Sequence, residues 1–322
     1  MSEHAQQRPG TQESITVVIP VFNKAVFLPR VLASVIEATH QTTGVELIIV
    51  NHGSTDGSRE IAESVAPPAR VIEASGGTIS TVRNLGASSG TGSLICFLDA
   101  DVLIPHDHFS RVLEVFAESG AGAVGCECAV PEPGHWIERV WYRLNVRTTD
   151  GDRKYINSAN IAVRRAVFEA VGGFPDDLAT SEDVELCRRL IAAGERIYQS
   201  SRLRVTHLDN PRSLRAFMAK SYWHGLGAVR ASPRGRLNRT TTFALAHLLV
   251  VVAVALVWTF GPRTAGTLLL GFASLWLLPA VAYVFRLLQT RRVVNPITSL
   301  LLLQVWLLAR GTALGRAVVR VR

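Results

Sequence analysis

Asp99-Ala100-Asp101 closes the apolar run Ser93-Leu94-Ile95-Cys96-Phe97-Leu98. The run reads as a buried strand that delivers two carboxylates to its C-terminal tip. Alternate side chains of a strand share a face, so Asp99 and Asp101 point the same way with one small residue between them. Two carboxylates that close repel each other unless a cation lies between them. Their hard oxygens suit Mn²⁺ or Mg²⁺, ions that commonly hold phosphates. The spacing therefore offers a metal–diphosphate site. A solvated turn after a strand has the same composition, and the rest of the chain must decide between them.

The elements that would position this pair alternate along the chain. Ile15–Pro20, Val45–Val50, Arg70–Glu73 and Leu94–Leu98 read as strands, separated by helical patterns over Ala25–Ala38, about Asp56–Val65 and Thr78–Ala87. Continuous apolar strands between helices imply an α/β fold with a parallel sheet covered on both faces. Ligands of such sheets sit at the carboxyl ends of the strands. The tips Pro20–Asn23, Asn51–Ser54 and Asp99–Asp101 should therefore line one crevice. Gly120-Ala121-Gly122-Ala123-Val124-Gly125 has the dinucleotide-binding string, but it follows a helix and precedes a strand, so it reads as a helix cap and loop. Further on, Tyr155–Val163 reads as a strand. Ser181 caps a helix from Glu182 to Ala193 with Glu182, Asp183 and Glu185 in its first turn. A last strand is expected near Leu203–His207.

The net charge of +8 is unevenly spread: no acidic residue follows Asp209, yet 15 of the 34 Lys+Arg lie there. These basic residues flank apolar runs, which points to membrane lipids rather than nucleic acid. Thr240–Phe260 and Thr264–Phe285 are each long enough to span a bilayer. Arg230, Arg234, Arg236 and Arg239 precede them, only Arg263 joins them, and Arg286, Arg291 and Arg292 follow. The positive-inside rule then puts both outer flanks in the cytoplasm and makes the protein a multi-pass protein of the cytoplasmic membrane. The 13-residue run Ile297–Ala309, followed by Arg310, Arg316, Arg320 and Arg322, reads as an interfacial or re-entrant helix. Leu214–Val229 reads as an amphipathic interface helix, with a basic linker after it. Residues 1–13 are polar, expected to be disordered, and lack the apolar core of a signal peptide. Cys96, Cys126, Cys128 and Cys187 have no metal-ligand spacing and read as reduced thiols.

Taken in order, Val18-Ile19-Pro20-Val21-Phe22-Asn23, Gly53-Ser54-Thr55-Asp56, Arg83-Asn84-x-Gly86, Leu98-Asp99-Ala100-Asp101, Gly172-Gly173-Phe174 and Glu182-Asp183 resemble the family-2 glycosyltransferases of GT-A fold. The resemblance covers residues 14–210, with 211–239 as interface helix and linker and 240–322 as the membrane region. It implies a nucleotide-sugar donor, inversion at the anomeric carbon and Mn²⁺ or Mg²⁺. By the same resemblance, Pro20, Phe22 and Asn23 border the nucleoside, Arg83 lies beside the nucleotide, Asp99 reaches the ribose or sugar, and Asp101 and His207 hold the metal. Asp183, with Glu182 beside it, is the candidate general base. A helix N-terminus would lower its pKa, while a closed cleft and Glu182 would raise it.

The chain also departs from the family pattern. The second strand ends Asn51-His52, where family members commonly carry two acidic or amide residues; His52 can still meet a base edge. There is no Gln-x-x-Arg-Trp string beyond Asp209, which favours transfer of one sugar over polymerisation. The expected acceptor is a lipid-linked saccharide or other glycan. The rivals are a polyprenyl-phosphate sugar synthase, whose anionic acceptor needs no base, and a non-catalytic membrane scaffold.

Overall fold

The computed structural model describes residues 13–65, 69–146, 149–178, 180–230 and 239–319. The expectation for residues 1–12, and the basic residues Arg234, Arg236, Arg320 and Arg322, lie outside the described residues.

The first half follows the alternation. β1 (Ile15–Val21), α1 (Leu28–His40), β2 (Val45–Asn51), α2 (Ser58–Glu63), β3 (Ala69–Glu73), α3 (Ile79–Ser89) and β4 (Leu94–Leu98) are successive, and the four strands pair in parallel in the order β3-β2-β1-β4. Then come β5 (Val102–Leu103), α4 (His108–Ser119), β6 (Ala123–Gly125), α5 (Trp136–Asn145), β7 (Gly151–Asp152), β8 (Asn160–Arg164), α6 (Arg165–Ala170), α7 (Glu182–Ala192), β9 (Ile197–Gln199) and β10 (Thr206–His207). β8 joins antiparallel to β4 and extends the sheet through β6, β9 and β7. Gly120 caps α4 in the left-handed region, as its place after a helix implies.

Period-two alternation sorts the core into two layers. Val17, Ile19, Leu47, Ile49, Cys96 and Leu98 face α1 and α4, where Val31, Val35, Phe109 and Phe116 meet them. Val18, Ile48, Val50, Ile95 and Phe97 face the opposite layer, with Val82, Phe168, Phe174, Leu186 and Leu190. At Gly86 of α3 the helix touches the sheet. A Cβ there would lie 2.3 Å from Val18 Cγ1 and 3.0 Å from Val50 Cγ2. Gly86→Ala gains about 1 kcal/mol of helix propensity against about 1–3 kcal/mol of overpacking. A lower melting temperature is expected, and an unchanged or higher one would show that the sheet gives way.

The strand expected over Tyr155–Val163 begins only at Asn160. Asn157 Oδ1 accepts from the Ala159 amide at 2.8 Å, and the turn this closes keeps Tyr155–Ala159 out of the sheet. The late strand is likewise short: Ser201–Leu203 is a 3₁₀ turn and only Thr206–His207 pairs, antiparallel to β5.

Among the described residues four helices follow: α8 (Leu214–Arg230), α9 (Arg239–Phe260), α10 (Ala265–Thr290) and α11 (Pro296–Val319). Three of them are long and apolar enough to cross a membrane: Arg239–Phe260, Ala265–Thr290 and Pro296–Gly315. The last includes the 13-residue run expected to lie at the interface. Arg310 does not end the helix, since arginine is a good helix former, and its guanidinium lies over the Trp306 ring, 5.1 Å from the centroid. Half of the apolar stretch of α11 is buried, against 17% for α9 and 6% for α10. α11 is thus the inner helix, packed on Ile137 of α5, Phe217 of α8 and Ala244 of α9.

Candidate functional site

The carboxyl ends of β1, β2 and β4 open into one cleft of about 950 Å³, closed on the far side by α7 and α8. Pro20, Phe22, His52, Arg83, Asp99, Asp101, Glu182, Asp183 and His207 all line it. At one end the exposed Phe22 ring lies 5.8 Å from the His52 ring. The two rings, tilted 53° to each other at the carboxyl ends of β1 and β2, offer the exposed Phe22 face to a planar base.

Asn23 does not line the cleft. It sits in the left-handed region (φ 51°), its amide donates to Ser54 Oγ at 3.1 Å, and its Oδ1 accepts from the Thr55 amide at 2.9 Å. Asp56 accepts from the Ala25 amide at 2.9 Å and from Ser58 Oγ at 2.5 Å. The Gly53-Ser54-Thr55-Asp56 string therefore braces the β1 tip, a structural task that its polar composition hides.

β4 ends at Leu98, so Asp99 and Asp101 stand in the turn after it rather than on one strand face as alternation implied, and the β5–β10 pairing brings His207 to them. Val102 and His207 are register partners, and the Leu208 amide donates to the Asp101 carbonyl at 2.8 Å. One ligand atom from each of Asp99, Asp101 and His207 lies within 4.8 Å of the others. Asp101 Oδ1 is buried and accepts no hydrogen bond, although His207 Nε2 is 3.4 Å away, and His207 Nδ1 is also buried without a partner. Burial holds His207 below the usual imidazole range, against the pull of Asp101, in the neutral form that metals take. Orphaned donor atoms, hard carboxylate oxygens and a neutral imidazole fit Mn²⁺ or Mg²⁺. Lys24 meets the same group: its Nζ lies 2.6 Å from Asp101 Oδ2 and 2.7 Å from Asp209 Oδ2. Neither Lys24 nor Asp209 was expected from the sequence, although Lys24 directly follows the Asn23 turn.

Arg83 lines the cleft floor but is almost wholly buried, held by two carboxylates. Its Nη2 donates to Asp99 Oδ1 and its Nη1 to Glu182 Oε1, both at 2.7 Å. Burial works against ionisation of Asp99, but Arg83 and then His207 hold it below the usual carboxylate range. The guanidinium thus ties the β4 tip to the first turn of α7.

That turn is set by Ser181, which takes the left-handed region (φ 68°) and directs the N-terminus of α7 into the cleft. Asp183 Oδ2 accepts from the Tyr155 hydroxyl at 2.7 Å, and Oδ1 accepts from the Val184 amide at 2.8 Å. Burial, and then the Glu182 carboxylate, raise Asp183 to about 6, outweighing Tyr155, Arg83 and the amide. Of the two opposing influences expected from the sequence, desolvation wins. Burial and Asp183 also push the Tyr155 phenol well above its usual range, so it stays a donor. A carboxylate of pKa near 6 at a cleft wall can accept a proton at neutral pH. Tyr155 was missed because its expected strand gave it no reason to reach α7.

Residues 16–172 match the family described as glycosyl transferase family 2. They are a family-2 glycosyltransferase domain. Glycosyltransferase AglE of Haloferax volcanii is 26% identical over 250 residues, covering 75% of this chain and 82% of its own length. The succinoglycan biosynthesis protein ExoA of Rhizobium meliloti is 24% identical over 259 residues, 74% of this chain and 75% of that one. In structure, the mannosyltransferase PcManGT from Pyrobaculum calidifontis, solved with GDP-Man and Mn²⁺, superposes with a TM-score of 0.61 at 20% identity, over 95% of this chain and 87% of that one. The family-2 domain thus has the GT-A fold, a mostly parallel sheet, followed by the three long apolar helices.

Proposed function

We propose that this glycosyltransferase is membrane-anchored, metal-dependent and inverting, and moves one sugar from a nucleotide-diphosphate-sugar to a hydroxyl of a lipid-linked saccharide. The observation that carries this reading is the position of Asp183, raised to about 6, across one cleft from the Asp99–Asp101–His207 group. Pro20, Phe22 and His52 border the nucleoside, with Asp99 on the ribose or sugar. Asp101 and His207 hold Mn²⁺ or Mg²⁺, which when bound stabilises the negative charge of the departing diphosphate. Asp183 takes the proton of the acceptor hydroxyl as that oxygen attacks the anomeric carbon from the side opposite the diphosphate. Tyr155 holds the carboxylate in place, and Glu182, fixed by Arg83, keeps it basic.

Membrane anchoring is supported by the exposed apolar side chains of α9 and α10, among them Leu249, Leu256, Leu269, Leu270 and Phe285. The lone Arg263 between these helices supports a cytoplasmic catalytic domain. The experiment is nucleotide release by the detergent-solubilised protein over a panel of nucleotide-sugars, with lipid extract and metal. Lipid-dependent release from one donor, lost in Asp183→Asn, supports the proposal. Release that survives in this variant favours the polyprenyl-phosphate synthase, and donor binding without release favours the scaffold. In the same assay, Asp101→Asn is expected to raise the half-saturating Mn²⁺ concentration about tenfold or more. An unchanged metal requirement would remove Asp101 from the metal site.

A further inference from the structure

The acceptor end of the cleft carries positive charge: Lys220 has Asp209 near it and donates to the Asp209 carbonyl at 3.4 Å, but among the described residues no carboxylate is paired with Arg310. Lys220 and His224 of α8, Thr240 of α9 and Arg310 of α11 line it, together with the half-exposed Trp223. Arg310 Nε is buried without a hydrogen bond, and its guanidinium lies on Trp306. Arg286 lies on the same ring, 5.8 Å from its centroid, so the neighbouring charge is also positive. No acidic residue exists after Asp209. The nearby carboxylates are already engaged: Asp209 by Lys24, Glu185 by Arg188 and Asp183 by Tyr155. Burial, and then Lys220 and Arg310, push the His224 imidazole down to about 4, so it stays neutral and leaves the two fixed cations facing the cleft.

An arginine on a helix apolar enough to enter a bilayer is costly and requires an anion or water. α8 and α11 approach closely where it sits: a Cβ on Gly225 would lie 2.8 Å from Ala313 Cβ and 3.2 Å from Arg310 Cα. The side chain is thereby held at the cleft wall rather than free to reach bulk solvent.

We infer that Arg310, with Lys220, binds the phosphate of the acceptor, a phosphate- or diphosphate-bearing lipid whose headgroup enters the cleft beside α8 and α11. The guanidinium fork suits a tetrahedral oxyanion, Lys220 adds a point charge, and Trp223 offers an apolar face to the group attached to the phosphate. This inference rests on the reading of the chain as a membrane-anchored transferase with a lipid-linked acceptor.

The test uses the full chain in nanodiscs of phosphatidylcholine, whose headgroup carries no net charge and no phosphomonoester. Binding of farnesyl phosphate, farnesol, inorganic phosphate, GDP and UDP is measured by native mass spectrometry. Farnesyl phosphate is expected to bind about tenfold or more tightly than farnesol. Arg310→Gln erases that difference, Arg310→Lys retains part of it, and nucleoside diphosphate affinity stays within about twofold. Lys220→Gln, an exposed position that folding tolerates, is expected to weaken farnesyl phosphate several-fold. Equal binding of farnesyl phosphate and farnesol by the wild type overturns the inference and leaves the transferase reading intact. Inorganic phosphate as strong a ligand as farnesyl phosphate overturns the lipid assignment, and loss of nucleoside diphosphate affinity in Arg310→Gln hands the residue to the donor. A protein that binds no prenyl ligand yet glycosylates a soluble glycan refutes the lipid-acceptor reading itself.

Discussion

Asp183→Asn is expected to lower kcat about a thousandfold, the loss of a positioned general base, while the KM for the donor changes little. Asparagine keeps its one oxygen for the Val184 amide, and its amino group can donate to the Tyr155 oxygen in place of the bond Tyr155 donates to the carboxylate, so the first turn of α7 is preserved. What it removes is the proton acceptor. The wild-type rate should therefore fall about tenfold per pH unit below about 6, where the carboxylate protonates, and should be flat above. Stability moves the other way. The carboxyl is about 6 in the folded chain and 3.8 unfolded. Its contribution to stability is thus fully present below 3.8 and is lost as pH rises through about 6. The interval bounds the loss at about 3 kcal/mol, and solvent in the cleft reduces it to about 1 kcal/mol. At pH 7.5 the Asn variant should melt no lower than the wild type, and the gap should close at acid pH. Low activity with a lowered melting temperature would make Asp183 a structural residue. Activity within tenfold of wild type would mean that the acceptor is already an anion.

The fold was legible because its causes are local. Apolar strands separated by amphipathic helices account for the parallel half of the sheet and for the place of Asp99 and Asp101 just beyond β4, but both stand in the turn that the Val102 amide closes on the Asp99 carbonyl, not on one strand face. The partners of the site residues are not local. Arg83 meets Glu182 across 99 positions, and Lys24 meets Asp209 across 185. No periodicity carries such pairings. Asn23 misled for a related reason: an αL turn and a ligand contact call for the same residue type. Tyr155 was hidden by a continuous-looking strand pattern that the Asn157 turn interrupts. The last helix was under-read because Arg310 marks the end of an apolar run in the sequence, whereas in the fold its guanidinium lies on Trp306 and the helix continues.

Arg83→Met tests what this burial means. The guanidinium is 3% exposed and bridges two carboxylates from opposite walls of the cleft. Removing it leaves Asp99 and Glu182 without their cation, a loss of about 3–5 kcal/mol for a broken buried pair. Methionine fills much of the volume and lies against Phe174, which faces the guanidinium at 5.5 Å, so the loss is electrostatic rather than a cavity. Lysine keeps the charge but cannot reach both carboxylates with one ammonium, and Arg83→Lys is expected to recover only part of the stability. If Arg83 acts chiefly as a nucleotide contact, Arg83→Met raises the donor KM and leaves the melting temperature unchanged. If it acts as the clamp, the melting temperature drops first, and adding Glu182→Gln restores part of it by removing one stranded charge. That partial rescue is decisive, because a nucleotide contact gives Glu182→Gln no means of repairing the loss of Arg83. The clamp also couples the β4 tip to the first turn of α7. One guanidinium holds Asp99 below the usual carboxylate range at the β4 tip and fixes Glu182, and it is burial and the Glu182 charge that raise Asp183, against the direct pull of that same guanidinium.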